Sequence, residues 1–273
     1  KEKLYGVLRV KINQDHNFLF FIGTGRTGST LIGQLINHHP SCLISNESRY
    51  LDNVIIGKIS DDTAYRRMVR QAYEQFIYGL RNSSHHKDTI SRYQTRWRSI
   101  QKKNAPIFNK SNINLVGDKK AGGTTHIFRS QPEEFLSWLK NTRSKRDVYF
   151  LQPVRDPAMA ALSYMKSHKI KTFEEACSKV VNDSQKAYEI RKFVGAERHY
   201  CVFYEDLVKE PEAELIKIFN WLGVDYDDEW LATVCESVDS HAGSYQKNLK
   251  HVKFANHLIR KSSCEILQRY TGD

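Results

Sequence analysis

No run of 18 or more apolar residues occurs anywhere in this 273-residue chain, so nothing in it reads as a transmembrane helix. The opening decapeptide, KEKLYGVLRV, has no apolar core of the kind a signal peptide needs. Because the sequence starts at Lys1, an upstream segment remains open. Cysteine is sparse: Cys42, Cys177, Cys201, Cys235 and Cys264 are odd in number, widely spaced and without a Cys-x-x-Cys pair. That pattern argues against a zinc site and a disulfide scaffold and points to a reducing, cytoplasmic compartment. Cys201, inside an apolar run, reads as a small core residue. Internal repeats, low-complexity segments and linkers are also lacking, so a single domain over residues 1–273 is expected.

Charge is plentiful but scattered. With 40% hydrophobic and 27% charged residues the composition is that of an ordinary globular protein, and the net charge of +11 calls for an anionic partner. Nucleic acid, a membrane surface or a polyanionic cofactor would each satisfy it. The densest stretch, Arg92 to Lys103, interleaves aromatics with arginines, as a nucleic-acid patch does. It also fits a solvated helix face.

Organisation centres on Phe18 to Pro40, FLFFIGTGRTGSTLIGQLINHHP. An apolar strand, Phe18 to Ile22, empties into a glycine turn, Gly23 to Gly28, followed by a helix with Leu31, Leu35 and Ile36 on one face and Pro40 at its end. Such a turn aims backbone N–H groups and the positive helix end at one point, which is a phosphate cradle. Three parses are possible. Gly23-x-Gly25-x-x-Gly28 matches the dinucleotide fingerprint, with Glu47 near the position of a ribose-binding acid. Gly23-x4-Gly28-Ser29-Thr30 matches a Walker A loop that has lost its lysine, and with it the charge on the transferred phosphoryl group. In the third, Arg26 supplies the charge, the amides of Thr27 to Thr30 wrap a tetrahedral anion, and Ser29 and Thr30 add hydroxyls.

Downstream, short apolar runs alternate with helical spacing. Strands are expected at Cys42–Ile44, Ile113–Gly117, Val148–Leu151 and Tyr200–Tyr204. Residues 62 to 104 predict two helices, turning at Asn82-Ser83-Ser84, that serve as a lid or acceptor wall. Ala121-Gly122-Gly123 reads as a flexible turn, and Pro132 and Pro211 open helices. Asp156 and Pro157 predict an N-cap and first helical position. The alternation gives an α/β fold, a parallel doubly wound sheet flanked by helices, with its loops gathered at one edge. Arg155 stands at a strand end with Ser163 two helical turns on, so both can face one phosphate.

These motifs resemble those of the PAPS-dependent sulfotransferases. Gly25-Arg26-Thr27-Gly28-Ser29-Thr30 is similar to their 5′-phosphosulfate loop, in the Arg-Ser/Thr-Gly-Ser/Thr-Thr form of the bacterial, Golgi and tyrosylprotein branches. Val154-Arg155-Asp156-Pro157 through Leu162-Ser163-Tyr164 resembles the 3′-phosphate motif, an arginine and a serine eight residues apart. Val202 to Leu207 and the helix ending Phe219 to Gly223 resemble the strand and helix that follow it, with the carboxylates of Glu205 and Asp206 fixing loops. The likeness covers roughly residues 17 to 225.

The resemblance implies a P-loop NTPase-like sulfotransferase fold, 3′-phosphoadenosine 5′-phosphosulfate (PAPS) as donor, PAP as product, and no metal. It implies that Arg26, Ser29 and Thr30, on a turn shaped by Gly25, Thr27 and Gly28, hold the 5′-phosphosulfate, and that Arg155 and Ser163 hold the 3′-phosphate. Glu47 resembles the catalytic glutamate of the tyrosylprotein and related bacterial members. Lys119, in Gly117-Asp118-Lys119, resembles a lysine that faces the reacting sulfate, although Lys120-Ala121 replaces the usual Thr-Pro and leaves Lys120 as the alternative. For the histidine base that the cytosolic small-molecule branch uses, His126 is the nearest candidate, against a loop histidine with no catalytic role. His38 and His39 read as helix-end residues, and Tyr245, Lys247 and Lys250 could close over the nucleotide. The expected acceptor is a small molecule or natural product, with no nucleic-acid or membrane partner; a P-loop kinase and a basic nucleic-acid-binding protein are the competing readings.

Overall fold

The computed structural model describes residues 11–78, 110–167, 170–238 and 247–271. The arginine-rich stretch 92–103, the turn at 82–84 and Tyr245 lie outside them.

Five strands form one parallel sheet: β1 (Ile12–Phe21), β2 (Cys42–Asn46), β3 (Ile113–Lys119), β4 (Val148–Val154) and β5 (His199–Phe203), in the order β2-β3-β1-β4-β5. The connecting helices are α1 (Ser29–Asn37), α2 (Tyr50–Ile55), α3 (Asp61–Tyr78), α4 (Ala121–Ser130), α5 (Pro132–Arg143), α6 (Pro157–Ser167), α7 (Phe173–Glu189) and α8 (Arg191–Val194). Beyond β5 come α9 (Tyr204–Lys209), α10 (Pro211–Leu222), α11 (Asp228–Cys235), α12 (Leu249–Lys261) and a 3₁₀ turn, Glu265–Tyr270.

The strands read as continuous apolar runs because both faces of the sheet are covered. Successive β1 side chains alternate between two cores. Leu19 and Phe21 join Ile32, Leu35 and Ile36 of α1 with Leu215, Ile218 and Phe219 of α10 and Trp230 of α11. Phe18, Phe20 and Ile22 join Met68 and Val69 of α3 and Phe135 and Trp138 of α5. The α10 face, Leu215, Ile218, Phe219 and Leu222, is buried at the predicted spacing. β1 neighbours β3 and β4, not β2, which departs from the 3-2-1-4-5-6 order of a dinucleotide fold. The first parse of the glycine turn is thereby removed.

Two local expectations are corrected. Ala121-Gly122-Gly123 is not a flexible turn but the first turn of α4, closed by Thr124 N–H donating to the Lys120 carbonyl at 2.8 Å. A Cβ on Gly123 would lie 2.6 Å from the Lys120 side chain, whereas one on Gly122 would be in ordinary contact, 3.9 Å from the Gly25 nitrogen. β1 starts at Ile12, well before Phe18, because Ile12 pairs with Ile113 across an irregularity ahead of Asn17. Backbone pairing there outweighs the polar side chains of Asn13 to Asp15.

Candidate active site

The carboxyl ends of β1, β2, β3 and β4 bring together the loops that the sequence singles out. From β1 the chain enters the glycine turn, where Gly23 (φ 111°), Arg26 (φ 67°) and Gly28 (φ 84°) all have left-handed backbones. Gly28 is the N-cap of α1, and no side chain caps that helix end, so its first-turn N–H groups remain directed at an anion. A Cβ on Gly28 would sit 2.3 Å from the Tyr204 ring, and one on Gly25 2.6 Å from the Tyr164 hydroxyl. Only glycine fits either place. Ser29 is buried and Thr30 half-buried. The Thr27 hydroxyl donates to the Thr24 carbonyl at 3.0 Å and thus holds the turn itself. Thr125 of α4 clasps the turn's start, its hydroxyl accepting from Gly23 N–H at 2.8 Å.

The second motif lies against this turn. Arg155, just past β4, is buried with its guanidinium 4.4 Å above the Tyr204 ring, an arrangement that fixes a planar cation. Its Nη1 donates to the Arg26 carbonyl at 3.3 Å. Ser163, buried on α6, accepts from Arg26 Nε at 3.0 Å. Asp156 caps α6 as predicted, Oδ1 accepting from Ala158 and Met159 N–H at 2.8 and 3.2 Å. Its Oδ2 takes Lys247 Nζ at 2.6 Å. Of the C-terminal cations proposed to close over the nucleotide, Lys247 therefore docks beside Arg155, whereas Lys250 lines an outlying apolar groove with Leu249 and Phe254. Glu205 accepts from Asp156 N–H at 3.0 Å, the loop-fixing role expected of it.

Glu47 sits past β2 with φ 67°. Its carboxylate reaches Lys119 Nζ at 3.2 Å and Lys120 Nζ at 3.8 Å, so both candidate lysines meet the same carboxylate. Lys119 is the buried one, its stem packed on α1 with 3.1 Å from its Cγ to a Cβ built on Gly33. Arg49, two residues on, pairs instead with Asp52, its Nε 3.1 Å from Oδ2. Burial pushes the Glu47 carboxyl up, but the ammonium groups of Lys119 and Lys120 outweigh it and hold the pKa below its ordinary 4.5. Burial draws Lys119 below its ordinary value, with Glu47 opposing.

The loop carrying Glu47 hangs on Asp118. That carboxylate is buried at the end of β3 and accepts from Ser45 Oγ at 2.7 Å, Ser48 N–H at 2.9 Å and Tyr50 N–H at 3.2 Å. Sequence reasoning missed Asp118 as an organiser, although it stands beside Lys119. It missed Thr125, Tyr164 and Tyr204 entirely, because their contacts join segments more than a hundred residues apart.

His126 does not join this group. It lies exposed on α4 rather than in a loop. His38 and His39 are not charged partners of the α1 dipole: burial drives both pKa values down, His39 to about 4. His39 packs tilted against Phe219 and edge-on to Trp230, with centroids 5.0 and 4.7 Å away. A separate cleft at the opposite sheet edge, lined by His39, Asn112, Asp225, Asp227 and Trp230 among others, contains none of the predicted site residues.

A glycine loop opening a helix off the central strand, with two guanidiniums and a buried hydroxyl at the adjoining strand end, defines an α/β enzyme built to bind phosphate groups. The sequence pattern of the sulfotransferase family matches residues 19–228, and the chain belongs to that family. It is a sulfotransferase. Among solved structures it is similar to the sulfotransferase domain from the curacin biosynthetic pathway, at 15% identity over 90% of this chain and 98% of that one, with a TM-score of 0.51. A mouse sulfotransferase, SULT7A1, complexed with PAP, is similar at 12% identity over 94% and 88% of the two chains, also with a TM-score of 0.51. These likenesses establish the shared sulfotransferase fold. Comparison with curated protein sequences returned no match.

Proposed function

We propose that the enzyme transfers the sulfuryl group of PAPS to a hydroxyl or amine of a small-molecule acceptor. The observation that carries the donor reading is the meeting of Arg26, Arg155 and Ser163 beside an uncapped helix end. Cations for one phosphate thereby adjoin a cradle for another. The residues fit the group: the start of α1 behind the glycine turn carries no side-chain cap, and the buried Arg155 supplies a planar fork suited to a phosphate. When bound, PAPS supplies a sulfuryl group attached to a phosphate leaving group. The loop amides with Ser29 and Thr30 would hold its 5′-phosphosulfate, and Arg155 with Ser163 its 3′-phosphate.

Glu47 is the base in this reading. Its lowered pKa keeps it ionised at neutral pH, and its carboxylate, held by Lys119 at 3.2 Å and more loosely by Lys120 at 3.8 Å, takes the acceptor proton. Lys119 orients Glu47 through their 3.2 Å contact and places positive charge alongside the first turns of α1, where leaving-group charge develops. Five free thiols support a reducing, cytoplasmic setting, and no described helix is long and apolar enough to cross a membrane. The curacin-pathway domain supports a natural product as acceptor.

Calorimetric titration with PAP, and separately with ATP and Mg²⁺, tests the donor. PAP should bind and ATP with Mg²⁺ should not; the reverse would make this chain a kinase-like nucleotide enzyme. Screening acceptors with labelled PAPS then identifies the substrate class.

A further inference from the structure

Helix α12 has an inward face that packing explains and an outward face that it does not. Inward, Ala255 and Leu258 pack on α6 and α7, Ile259 is buried, and the His251 ring stacks on Phe173 with centroids 4.1 Å apart. Outward, the spacing of three and four residues sets Lys250, Lys253, His257 and Lys261 along one stripe, and all four are exposed. At the helical rise the stripe is about 16 Å long. The helix contains no aspartate or glutamate, and among the described residues none of the three lysines has an ion-pair partner. Beside them Leu249 is 70% exposed, and with the half-buried Phe254 it lines a groove rimmed by Lys250 and Lys253.

Stability of the fold accounts for neither the lysines nor the leucine. Lys250 stands in the first turn, where the positive end of the helix dipole disfavours a cation, and Lys253, three residues on, repels it. The leucine leaves its apolar surface in water. The donor site does not use them either, for the C-terminal cation that reaches Asp156 beside Arg155 is Lys247. We propose that the outward face of α12 docks on an anionic lipid bilayer, its lysines among the headgroup phosphates and Leu249 at the acyl boundary. Such a surface sets negative charge directly above hydrocarbon, so it satisfies the ammonium groups and the leucine at once, with the lysine stems lying between. A nucleic-acid backbone would match the lysines and leave Leu249 against charge. A protein interface needs a desolvated apolar centre, which one leucine ringed by lysines does not make. The association is peripheral, as no described helix is long and apolar enough to cross a bilayer. It replaces the sequence-based expectation of no membrane partner, and it goes beyond the sulfuryl-transfer reading without depending on it. Its consequence is placement: Lys250 follows Lys247 by one helical turn, so a docked bilayer adjoins the donor end of the active site.

The test is cosedimentation of the full chain with vesicles of phosphatidylcholine alone and of phosphatidylcholine mixed with phosphatidylserine. Wild-type protein should pellet with the mixed vesicles and stay in solution with the neutral ones. A lysine near an anionic surface is worth about fivefold in affinity, so Lys250→Glu/Lys253→Glu should lose about 25-fold or more. Lys140→Glu/Lys145→Glu, at two exposed lysines in and just after α5, alters the net charge equally and should lose less than about threefold. Leu249→Ser should weaken binding several-fold through the apolar contact alone, and melting of each variant verifies folding. Failure of the wild type to bind the mixed vesicles, equal binding to neutral ones, equal losses in the two double variants, or full affinity of Leu249→Ser would each overturn the proposal. Tighter binding to polyglutamate or duplex DNA than to the vesicles would also overturn it, making the partner an acidic protein or a nucleic acid. Calorimetry with PAP reads the donor site separately, so either reading can fail alone.

Discussion

Glu47, Arg49 and Arg26 all hold positive φ without being glycine, a conformation that costs each residue free energy and concentrates at working sites. For Glu47 the return is a carboxylate set against two ammonium groups. Glu47→Gln should lower kcat by about 10²- to 10⁴-fold while leaving PAP affinity nearly unchanged; weakened binding with retained turnover would exclude it as the base. The sign of its titration is fixed by its neighbours. Because folding lowers its pKa, the active ionised form persists below the ordinary 4.5, and the acidic limb of kcat/KM should lie under that value. Lys119→Met removes the nearer ammonium and should move that limb upward, measured as a pH profile. At Gly28 both constraints act together, positive φ and a Tyr204 ring that a Cβ would strike. Gly28→Ala should cost about 1–3 kcal/mol in backbone strain alone and abolish measurable PAP binding, read by denaturant melts and calorimetry.

At the scale of elements, the site depends on how strand ends are tied to the loops beyond them. Asp118 at the end of β3 holds the loop after β2 through two amides and one hydroxyl. Asp118→Asn replaces a carboxylate acceptor by a group whose –NH₂ opposes one of those donors. It should destabilise the fold by about 1.5–3 kcal/mol and depress kcat more than donor KM, since it disturbs the Glu47 loop and not the phosphate cradle. The strand-turn-helix units were legible because their periodicities differ sharply, and the Gly23–Gly28 turn and the Asp156 cap because glycine and proline constrain backbone locally. Arg155 and Ser163 were legible through helical spacing. The clasp of Thr125 on Gly23 and the packing of Tyr204 under Gly28 were not, because they depend on how β3, β4 and β5 are ordered around β1. The Gly122-Gly123 start of α4 misled because a glycine pair is as compatible with the first turn of a helix as with a loop.

Across the whole molecule, the last described segment is wired to the second phosphate motif through Glu205. Tyr270 Oη donates to Glu205 at 2.7 Å, and the other Glu205 oxygen receives Asp156 N–H. Arg269 makes two bonds to Asp206, at 2.8 and 2.9 Å, and lies 4.0 Å over the Phe203 ring. Tyr270→Phe should therefore cost about 1 kcal/mol, lowering the melting temperature by about 2–4 °C, and should raise donor KM modestly; an unchanged melting temperature would disprove the tie.

The place of β1 at the centre of the sheet has a further consequence, for biosynthesis. Phe18 pairs with Val116 on one side and Val148 on the other, so the central strand, with its apolar Phe18–Phe21 run, is translated long before either neighbour exists. At about 5–20 residues per second the nascent chain carries that strand without its partners for on the order of 10 s. Non-local parallel pairing is also slow to close once the partners emerge. Soluble yield should accordingly respond to growth temperature and chaperone supply more strongly than the stability of the finished fold would suggest.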